Sequence, residues 1–209
     1  MNRLVCLLLA SLAAGCSLMP EQPVLTTPAS PVTRYHEHLA QVSTIQAFAM
    51  QGRIAILTEK KGFSGSIHWQ HHIDGDDIQF FSPLGTQLGA LSQGADGVTL
   101  TISNQHTFHA DDAETLTQQL LGWSLPMQGL PNWMLGRPNN IETATMTWDQ
   151  DGKLTHLNEQ GWDIEYPQYM TADGFMLPGK VILKSQKLDL KLVIEQWRTG
   201  VKESQESTK

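Results

Sequence analysis

The residues of this chain that could perform chemistry do not form a recognisable catalytic set. Residues 174–181 (Gly-Phe-Met-Leu-Pro-Gly-Lys-Val) come close to a phosphate-binding P-loop. However, Val181 lacks the hydroxyl that would bind Mg²⁺, Pro178 lacks an amide donor, and the apolar residues that follow favour a strand where a helix is required. The segment is therefore predicted to be a turn that enters a strand.

A second candidate is a group of imidazoles and carboxylates. His71 and His72 are followed by Asp74, Asp76 and Asp77, which are ligand types that divalent metals accept. Neighbouring side chains of a strand point to opposite faces, and the segment ends in an Asp-Gly turn, so we predict a solvated hairpin tip. The chain has no Gly-x-Ser-x-Gly, His-Glu-x-x-His or Cys-x-x-Cys motif. We therefore predict no catalytic residues, no cofactor and no metal, and hence a protein that is not an enzyme.

The start of the chain carries a different chemistry, that of lipid attachment. Residues 1–15 combine a basic start, a short apolar run and small residues, the pattern of a secretory signal peptide. Leu12 and the small residues directly before Cys16 resemble a bacterial lipobox, in which the cysteine is acylated and becomes the first mature residue. Cys16 is thus the predicted lipid attachment site, and each buried acyl methylene contributes ~0.8 kcal/mol to anchoring. The alternative is an ordinary signal peptide with an incidental cysteine.

Composition restricts the function further. The 209 residues include 14 Lys and Arg against 21 Asp and Glu, a net charge of -7, with no basic cluster, which argues against nucleic-acid binding. Hydrophobic residues make up 40% and charged residues 17%, enough apolar surface for a folded core. The only other cysteine, Cys6, lies in the predicted signal, so the mature chain is expected to fold without a disulfide.

The mature chain divides into a tether, a domain and a tail. Residues 16–31 contain four prolines among Ser and Thr and are predicted to be a flexible tether. Residues 32–200 are expected to form the folded domain and residues 201–209 a frayed tail. At the start of the domain, Leu39, Val42 and Ile45 recur at helical spacing and predict an amphipathic helix over about 32–45.

Most of the domain alternates apolar and polar residues, which is typical of antiparallel strands with one dry face. The clearest alternating segments are 48–56, 98–102, 144–148, 162–166 and 188–194. Asp-Gly pairs predict hairpin turns at 74–75, 96–97 and 151–152. Helices are predicted over 111–121 and, in a shorter form, within 125–138. The domain is therefore expected to be mostly β (α+β), with one long, curved antiparallel sheet and a few helices over its dry face.

Five segments resemble the LolB family of outer-membrane lipoprotein receptors. They occur in order at 48–56, 67–70, 83–85, 110–114 and 125–138. The Leu-Pro…Trp…Leu-Gly-x-Pro string of the last segment is the most specific. Two positions depart from the family pattern: Ser82 stands where Asn is expected before Pro-Leu-Gly, and His68 stands where an aromatic residue is common.

This resemblance implies an unclosed antiparallel β-barrel wrapped over a helical lid, with an apolar cavity. LolB-like proteins receive acylated lipoproteins from the periplasmic carrier LolA and insert them into the outer membrane. LolA, the acylated cargo and the outer membrane, reached through the lipid anchor at Cys16, are therefore the expected partners of a monomer located at the periplasmic face. Ser17 agrees with this location, because bacterial sorting rules associate Asp at that position with retention elsewhere.

The resemblance also implies a set of site residues. Trp69, Trp133 and Trp162 match family tryptophans associated with the cavity, and we expect five further residues to line it: Phe80, Leu88, Leu135, Met146 and Ile164. Leu84 matches the apolar residue of a protruding loop linked to membrane delivery. Its neighbours Pro83 and Gly85 favour a turn over strand pairing, so Leu84 is expected at an exposed tip. The alternative is a leucine folded back into the core.

Other functions stay open at the level of sequence. Six Trp and eight Met could line a cavity or simply fill a core. A filled barrel would suit a lipoprotein scaffold that binds a protein partner. A lipid-modifying hydrolase is a third option, although no nucleophile and base are identified.

An acceptor without an energy source would need acyl chains to move toward higher affinity, from carrier to acceptor to bilayer. Each ~1.4 kcal/mol difference in binding free energy changes the equilibrium constant of a transfer step tenfold.

Overall fold

The fold is a single sheet of eleven strands with three helices, and the computed structural model describes residues 29–102 and 106–200. Cys16, the signal, residues 16–28 of the predicted tether and the tail lie outside the described residues. The helices are α1 (Pro31–Val42), α2 (Ala113–Leu121) and α3 (Leu130–Met134). The strands are β1 (Phe48–Thr58), β2 (Gly62–His72), β3 (Gly75–Phe81), β4 (Gln87–Gly94), β5 (Gly97–Ile102), β6 (His106–Ala110), β7 (Thr145–Trp148), β8 (Leu154–Glu159), β9 (Trp162–Ala172), β10 (Phe175–Lys184) and β11 (Leu188–Thr199).

All neighbouring strands are antiparallel, in the order β6-β5-β4-β3-β2-β1-β11-β10-β9-β8-β7. The strands β6 and β7 end the sheet and do not pair with each other among the described residues, so the barrel is unclosed. This confirms the predicted mostly β, unclosed antiparallel architecture. The three predicted Asp-Gly turns also lie between paired strands, at the β2–β3, β4–β5 and β7–β8 connections.

The alternating sequence produces one dry face because successive strand side chains point to opposite sides. Along β1, Phe48, Met50, Ile54 and Ile56 are buried, whereas the residues between them are mostly exposed. The register of β1 against β11 shifts by one residue at Gly52. A Cβ there would collide with the carbonyl oxygen of Val193, so the close approach of these two central strands requires glycine.

Capping residues set the bounds of the helices. Ser30 caps α1 by accepting from the Thr33 amide, and Pro31 occupies the first turn, where a missing N–H costs nothing. This helix ends at Val42, three residues before the predicted end, and the chain then turns, with the Ile45 amide donating to the Val42 carbonyl. Asp112 caps α2 by accepting from the Thr115 amide at 2.7 Å. The short α3 lies within the predicted segment 125–138.

Antiparallel pairing places successive turns at alternate ends of the sheet. One end, called here the Leu84 end, holds the turns at 59–61, 82–86, 160–161 and 185–187. The opposite end holds the turns at 73–74, 95–96, 149–153 and 173–174. The start of α1 also lies at the opposite end, where Arg34 Nη1 donates to the Gln150 carbonyl. No helix among the described residues is long and apolar enough to cross a membrane.

Candidate functional site

An apolar pocket of about 270 Å³ lies on the dry face of β1 to β5, at the Leu84 end. Ligand pockets usually start at about 300 Å³, so this volume suits a segment of a slender hydrocarbon better than a bulky ligand. The walls come from five strands, from the C-terminal end of α2 and from the segment that follows it. The lining residues are Ile56, Lys61, Gly62, Phe63, Phe80, Leu88, Gly89, Leu100, Leu121 and Trp123.

The strand register brings the pocket walls together. Ile56, Phe80 and Leu100 are buried residues at alternating positions of β1, β3 and β5, so they face the same side of the sheet. The chain leaves α2 through Gly122, whose φ of 84° is the left-handed conformation that ends many helices. This turn directs Trp123 onto Phe80, with the rings edge to face and 6.1 Å between centroids. The helix end and the sheet thereby enclose the pocket.

Lys61 brings a positive charge to the mouth of this apolar pocket. Its backbone is held in the β1–β2 turn, where Lys61 N donates to Thr58 Oγ1 and Lys61 O accepts from the Thr58 amide at 2.8 Å. Its Nζ lies 3.8 Å from the position that a Cβ would take on Gly122, next to the C-terminal end of α2. A lysine at a helix C-terminus interacts favourably with the carbonyl dipoles there.

The turn between β3 and β4 projects Leu84 into solvent. Gly85 N donates to Ser82 O at 2.9 Å, and Ser82 N donates to Thr86 O at 2.8 Å. Pro83 is the second residue of this turn. Gly85 has a φ of 84°, and no atom lies within 4 Å of the position that a Cβ would take there, so the turn is open to solvent on this side. The tip holds Leu84 at 95% exposure, so the leucine does not fold back into the core.

The exposed turn and the pocket are directly connected along the chain. Phe80 precedes Leu84 by four residues and Leu88 follows it by four, and both line the pocket. Phe80 is buried, whereas Leu88 is 36% exposed at the rim. A hydrocarbon chain in the pocket would therefore lie beside the two strands that end in the exposed Leu84.

The structure places the other predicted cavity residues away from this pocket. Trp69, Trp133, Leu135 and Ile164 are buried members of the core, and Met146 and Trp162 are partly buried and packed against it. Among the eight predicted cavity residues, Phe80 and Leu88 are the two that line the 270 Å³ pocket.

Two of the buried tryptophans, Trp69 and Trp133, donate their indole N–H to carboxylates. Trp69 Nε1 donates to Asp76 Oδ1 at 2.8 Å, and His71 Nδ1 lies 2.7 Å from the same oxygen. The predicted solvated tip at His71 is therefore wrong for Asp76, which is 7% exposed and binds a core indole.

The structure does confirm residues 174–181 as a turn and strand, since β10 begins at Phe175.

Trp133 belongs to a second polar cluster inside the core. Its Nε1 donates to Glu159 Oε2 at 2.6 Å, and its carbonyl accepts from the Tyr166 hydroxyl at 3.0 Å. Burial raises the pKa of Tyr166 and of Tyr169 well above the usual value, so both hydroxyls stay protonated and donate. This cluster fixes α3 against β8 and β9, a structural role.

Sequence analysis missed several residues of the pocket. Ile56, Phe63, Leu100, Leu121 and Trp123 line it, but nothing local distinguishes them from other core positions. The alternation of β1 and β5 assigns Ile56 and Leu100 to the dry face without indicating a cavity.

The described residues contain no group of three or more His, Cys, Asp or Glu placed to hold a metal ion. A groove of about 480 Å³ on the outer face includes Asp189 and Lys191 and opens widely to solvent.

Comparisons with known proteins agree with this architecture. The family model described as "Outer membrane lipoprotein LolB" matches residues 46–197. The outer-membrane lipoprotein LolB of Pseudomonas savastanoi pv. phaseolicola is 33% identical over 190 residues, covering 91% of this chain and 92% of that protein. The LolB of Nitrosococcus oceani is 36% identical over 191 residues, covering 90% and 93%.

A solved structure supports the fold alone. The crystal structure of a DUF1329 family protein from Desulfovibrio piger is 10% identical to this chain, with a TM-score of 0.53 over 83% of this chain and 95% of that one. The sequence matches carry the assignment, because they extend over nearly the whole length of both proteins and confirm the resemblance of the five motif segments. This chain belongs to the LolB family of outer-membrane lipoproteins.

Proposed function

We propose that this chain is a lipid-anchored acceptor that receives lipoproteins from the carrier LolA and inserts them into the outer membrane. One observation carries the proposal: the apolar pocket opens at the end of the sheet where Leu84 is 95% exposed. A buried apolar surface that binds hydrocarbon and an exposed apolar tip that enters a bilayer are the two elements that such a transfer requires.

The energetics of transfer favour a pocket of moderate affinity. Each methylene that leaves water for an apolar site contributes ~0.8 kcal/mol. A pocket of about 270 Å³ covers only part of a long acyl chain, so a bilayer, which covers the whole chain, binds it more tightly. Cargo therefore moves from the acceptor to the membrane without an energy source. The preceding step, from LolA to the acceptor, is also downhill provided that LolA binds the acyl chain less tightly than the acceptor does.

The proposal assigns a role to each part of the chain. Residues 1–15 act as the export signal, Cys16 carries the lipid, and residues 16–31 connect it to the domain. Phe80 and Leu88 contact the acyl chain, while the other six predicted cavity residues belong to the hydrophobic core or pack against it: Trp69, Trp133, Leu135, Ile164, Met146 and Trp162. Binding and release of hydrocarbon need no bond to form or break, so this monomeric acceptor works without a catalytic group, cofactor or metal.

A charge placed in the acyl path tests the proposal. The change Leu88→Glu introduces a carboxylate at the rim of the pocket, where a hydrocarbon chain would have to desolvate it. We expect the affinity for a fluorescent fatty acid, and the uptake of lipoprotein from LolA, to fall at least tenfold. The matched control is Leu57→Glu, because Leu57 is 61% exposed on the outer face of β1, next in sequence to pocket residue Ile56.

The two variants separate the acceptor from its main alternative. A scaffold lipoprotein with a filled barrel would show no saturable fatty-acid binding even in the unchanged chain. Equal affinity in the Leu88→Glu and Leu57→Glu variants would show that the pocket is not the acyl site. Turnover of an ester substrate by the purified chain would instead favour the hydrolase.

A further inference from the structure

The two ends of the sheet carry opposite charge. The described strand-to-strand turns at the Leu84 end contain three lysines and one glutamate, namely Lys60, Lys61, Lys187 and Glu59. The turns described at the opposite end contain five aspartates and one lysine: Asp74, Asp96, Asp149, Asp151, Asp173 and Lys153. The net charge of these turns is thus +2 at one end and -4 at the other, in a chain whose overall charge is -7.

The three lysines at the Leu84 end form no ion pair among the described residues. Lys60, Lys61 and Lys187 are all exposed. At this edge of the sheet Lys184 pairs with Glu165 at 2.9 Å, and Asp189 lies on the outer face beside it. At the opposite end Lys153 is engaged by Asp151 at 3.1 Å and Asp149 at 3.4 Å, and Arg34 bonds the Gln150 carbonyl. The Leu84 end therefore carries three exposed lysines, whereas near the opposite end Arg198 of β11 is exposed.

The charged turns lie side by side with the apolar tip. Thr58 pairs with Leu188, which places the turn at 59–61 next to the turn at 185–187. On its other side, the hairpin of β1 and β2 adjoins β3 through the Ser66 and Phe81 pair, directly before the turn that holds Leu84. The Leu84 end thus presents the exposed Leu84 beside a row of lysines, with the pocket mouth behind them.

We propose that the Leu84 end docks on a bilayer surface that carries anionic phospholipids, with Lys60, Lys61 and Lys187 against the lipid phosphates. The inference deepens the proposed function and rests on its assignment of membrane delivery to Leu84. The lysines attract the anionic surface, and the aspartates repel it, so the field orients the molecule before Leu84 inserts. Each lysine near such a surface contributes about fivefold to the docking equilibrium.

A photochemical experiment on the full-length protein tests the orientation. The photoreactive residue p-benzoylphenylalanine replaces Leu84, and the protein is reconstituted in phosphatidylethanolamine vesicles with increasing fractions of phosphatidylglycerol. We expect cross-linking of position 84 to lipid to rise with the phosphatidylglycerol fraction and to fall as salt screens the charges. The pair of changes Lys60→Gln and Lys187→Gln is expected to lower the ratio of docked to free molecules by about 25-fold.

Matched controls keep the two proposals distinct. The changes Lys180→Gln and Lys191→Gln remove the same charge from the wall of the sheet and are expected to leave cross-linking unchanged. An equal loss in both double variants, or cross-linking that ignores phosphatidylglycerol and salt, would overturn the anionic docking while leaving membrane delivery by Leu84 intact. Absence of lipid cross-linking at every composition would overturn both. Fatty-acid binding by the Lys60→Gln and Lys187→Gln variant reports separately on the pocket.

Discussion

The indole nitrogen of Trp133 donates a hydrogen bond to the buried carboxylate of Glu159, 26 residues further along the chain. The same carboxylate accepts from the backbone amides of Asn139 at 2.8 Å and Asn140 at 2.5 Å. One acidic side chain, 1% exposed, therefore holds together α3, the loop that follows it and the end of β8. A buried charge is retained at low cost when N–H donors surround it in this way.

Replacing this carboxylate is expected to destabilise the fold. The Glu159 carboxylate accepts hydrogen bonds from three N–H groups. In Glu159→Gln, the side-chain NH₂ would face at least one of these N–H groups, and two buried donors would then meet without an acceptor. The expected loss is about 1–3 kcal/mol in the free energy of unfolding, measured by chemical denaturation. Glu165→Gln is the control, since Glu165 forms an exposed ion pair with Lys184 and such pairs contribute about 0–1 kcal/mol. Similar losses in both variants would contradict the role of the Trp133 cluster.

Leu84→Glu is expected to separate uptake from delivery. Because Leu84 is 95% exposed, the change in unfolding free energy is expected to stay within about 0.5 kcal/mol, and fatty-acid binding to stay unchanged. Release of cargo into liposomes is expected to fall, since a carboxylate replaces the side chain that enters the bilayer. The control is Ile73→Glu, at a turn of the opposite end with 80% exposure. Normal delivery by Leu84→Glu would refute the role assigned to the turn.

Two tryptophan variants are expected to distinguish the pocket wall from the core. Trp123→Phe shortens a side chain that lines the pocket and contacts Phe80, so the affinity for a fluorescent fatty acid is expected to change severalfold. Trp133→Phe removes the donor to Glu159 and is expected to cost about 1–3 kcal/mol of stability. Its fatty-acid affinity is expected to stay within twofold of the unchanged chain. Titrations that show the reverse order would return Trp133 to the acyl site.

His38 is expected to make stability depend on pH. Burial, with a smaller contribution from Lys153, lowers its pKa below the usual 6.5, and its Nε2 has no hydrogen-bond partner among the described residues. As pH falls below 6.5, the unfolded chain binds a proton that the folded chain does not, so stability decreases and levels off below the folded pKa. His38→Phe is expected to reduce this dependence in denaturation curves between about pH 7 and pH 5. His36→Phe, on the exposed side of α1, is the control and should retain it.

The sequence predicts those parts of the fold in which burial follows a local period. The strand β1 and the capped helix α2 are examples, since alternation and Asp112 mark them directly. The edge strand β6 leaves no such mark, because four of its five residues are exposed. The exposure of Leu84 follows from its place between Pro83 and Gly85, while its role in delivery stays a prediction.

The pocket could not be located from sequence because its walls meet only in three dimensions. Trp123 directly follows the end of α2 and Trp133 lies within α3, and both are buried, yet Trp123 faces the pocket and Trp133 bonds Glu159. The difference depends on a carboxylate that lies far along the chain. Lys61 was missed for a related reason, since its turn meets the end of α2 only after five strands have paired.

The start of α1, beside Gln150, is the point at which the proposed tether between Cys16 and Pro31 joins the domain. This attachment point lies at the opposite end of the sheet from Leu84. The length of the sheet is about 36 Å, taken from the 11 residues of β1 at ~3.3 Å each. Fifteen extended tether residues span at most about 50 Å, which exceeds the length of the sheet. A molecule anchored through the proposed lipid at Cys16 could therefore invert and bring Leu84 to its own membrane, and a tether shortened to fewer than about ten residues would keep Leu84 in the periplasm.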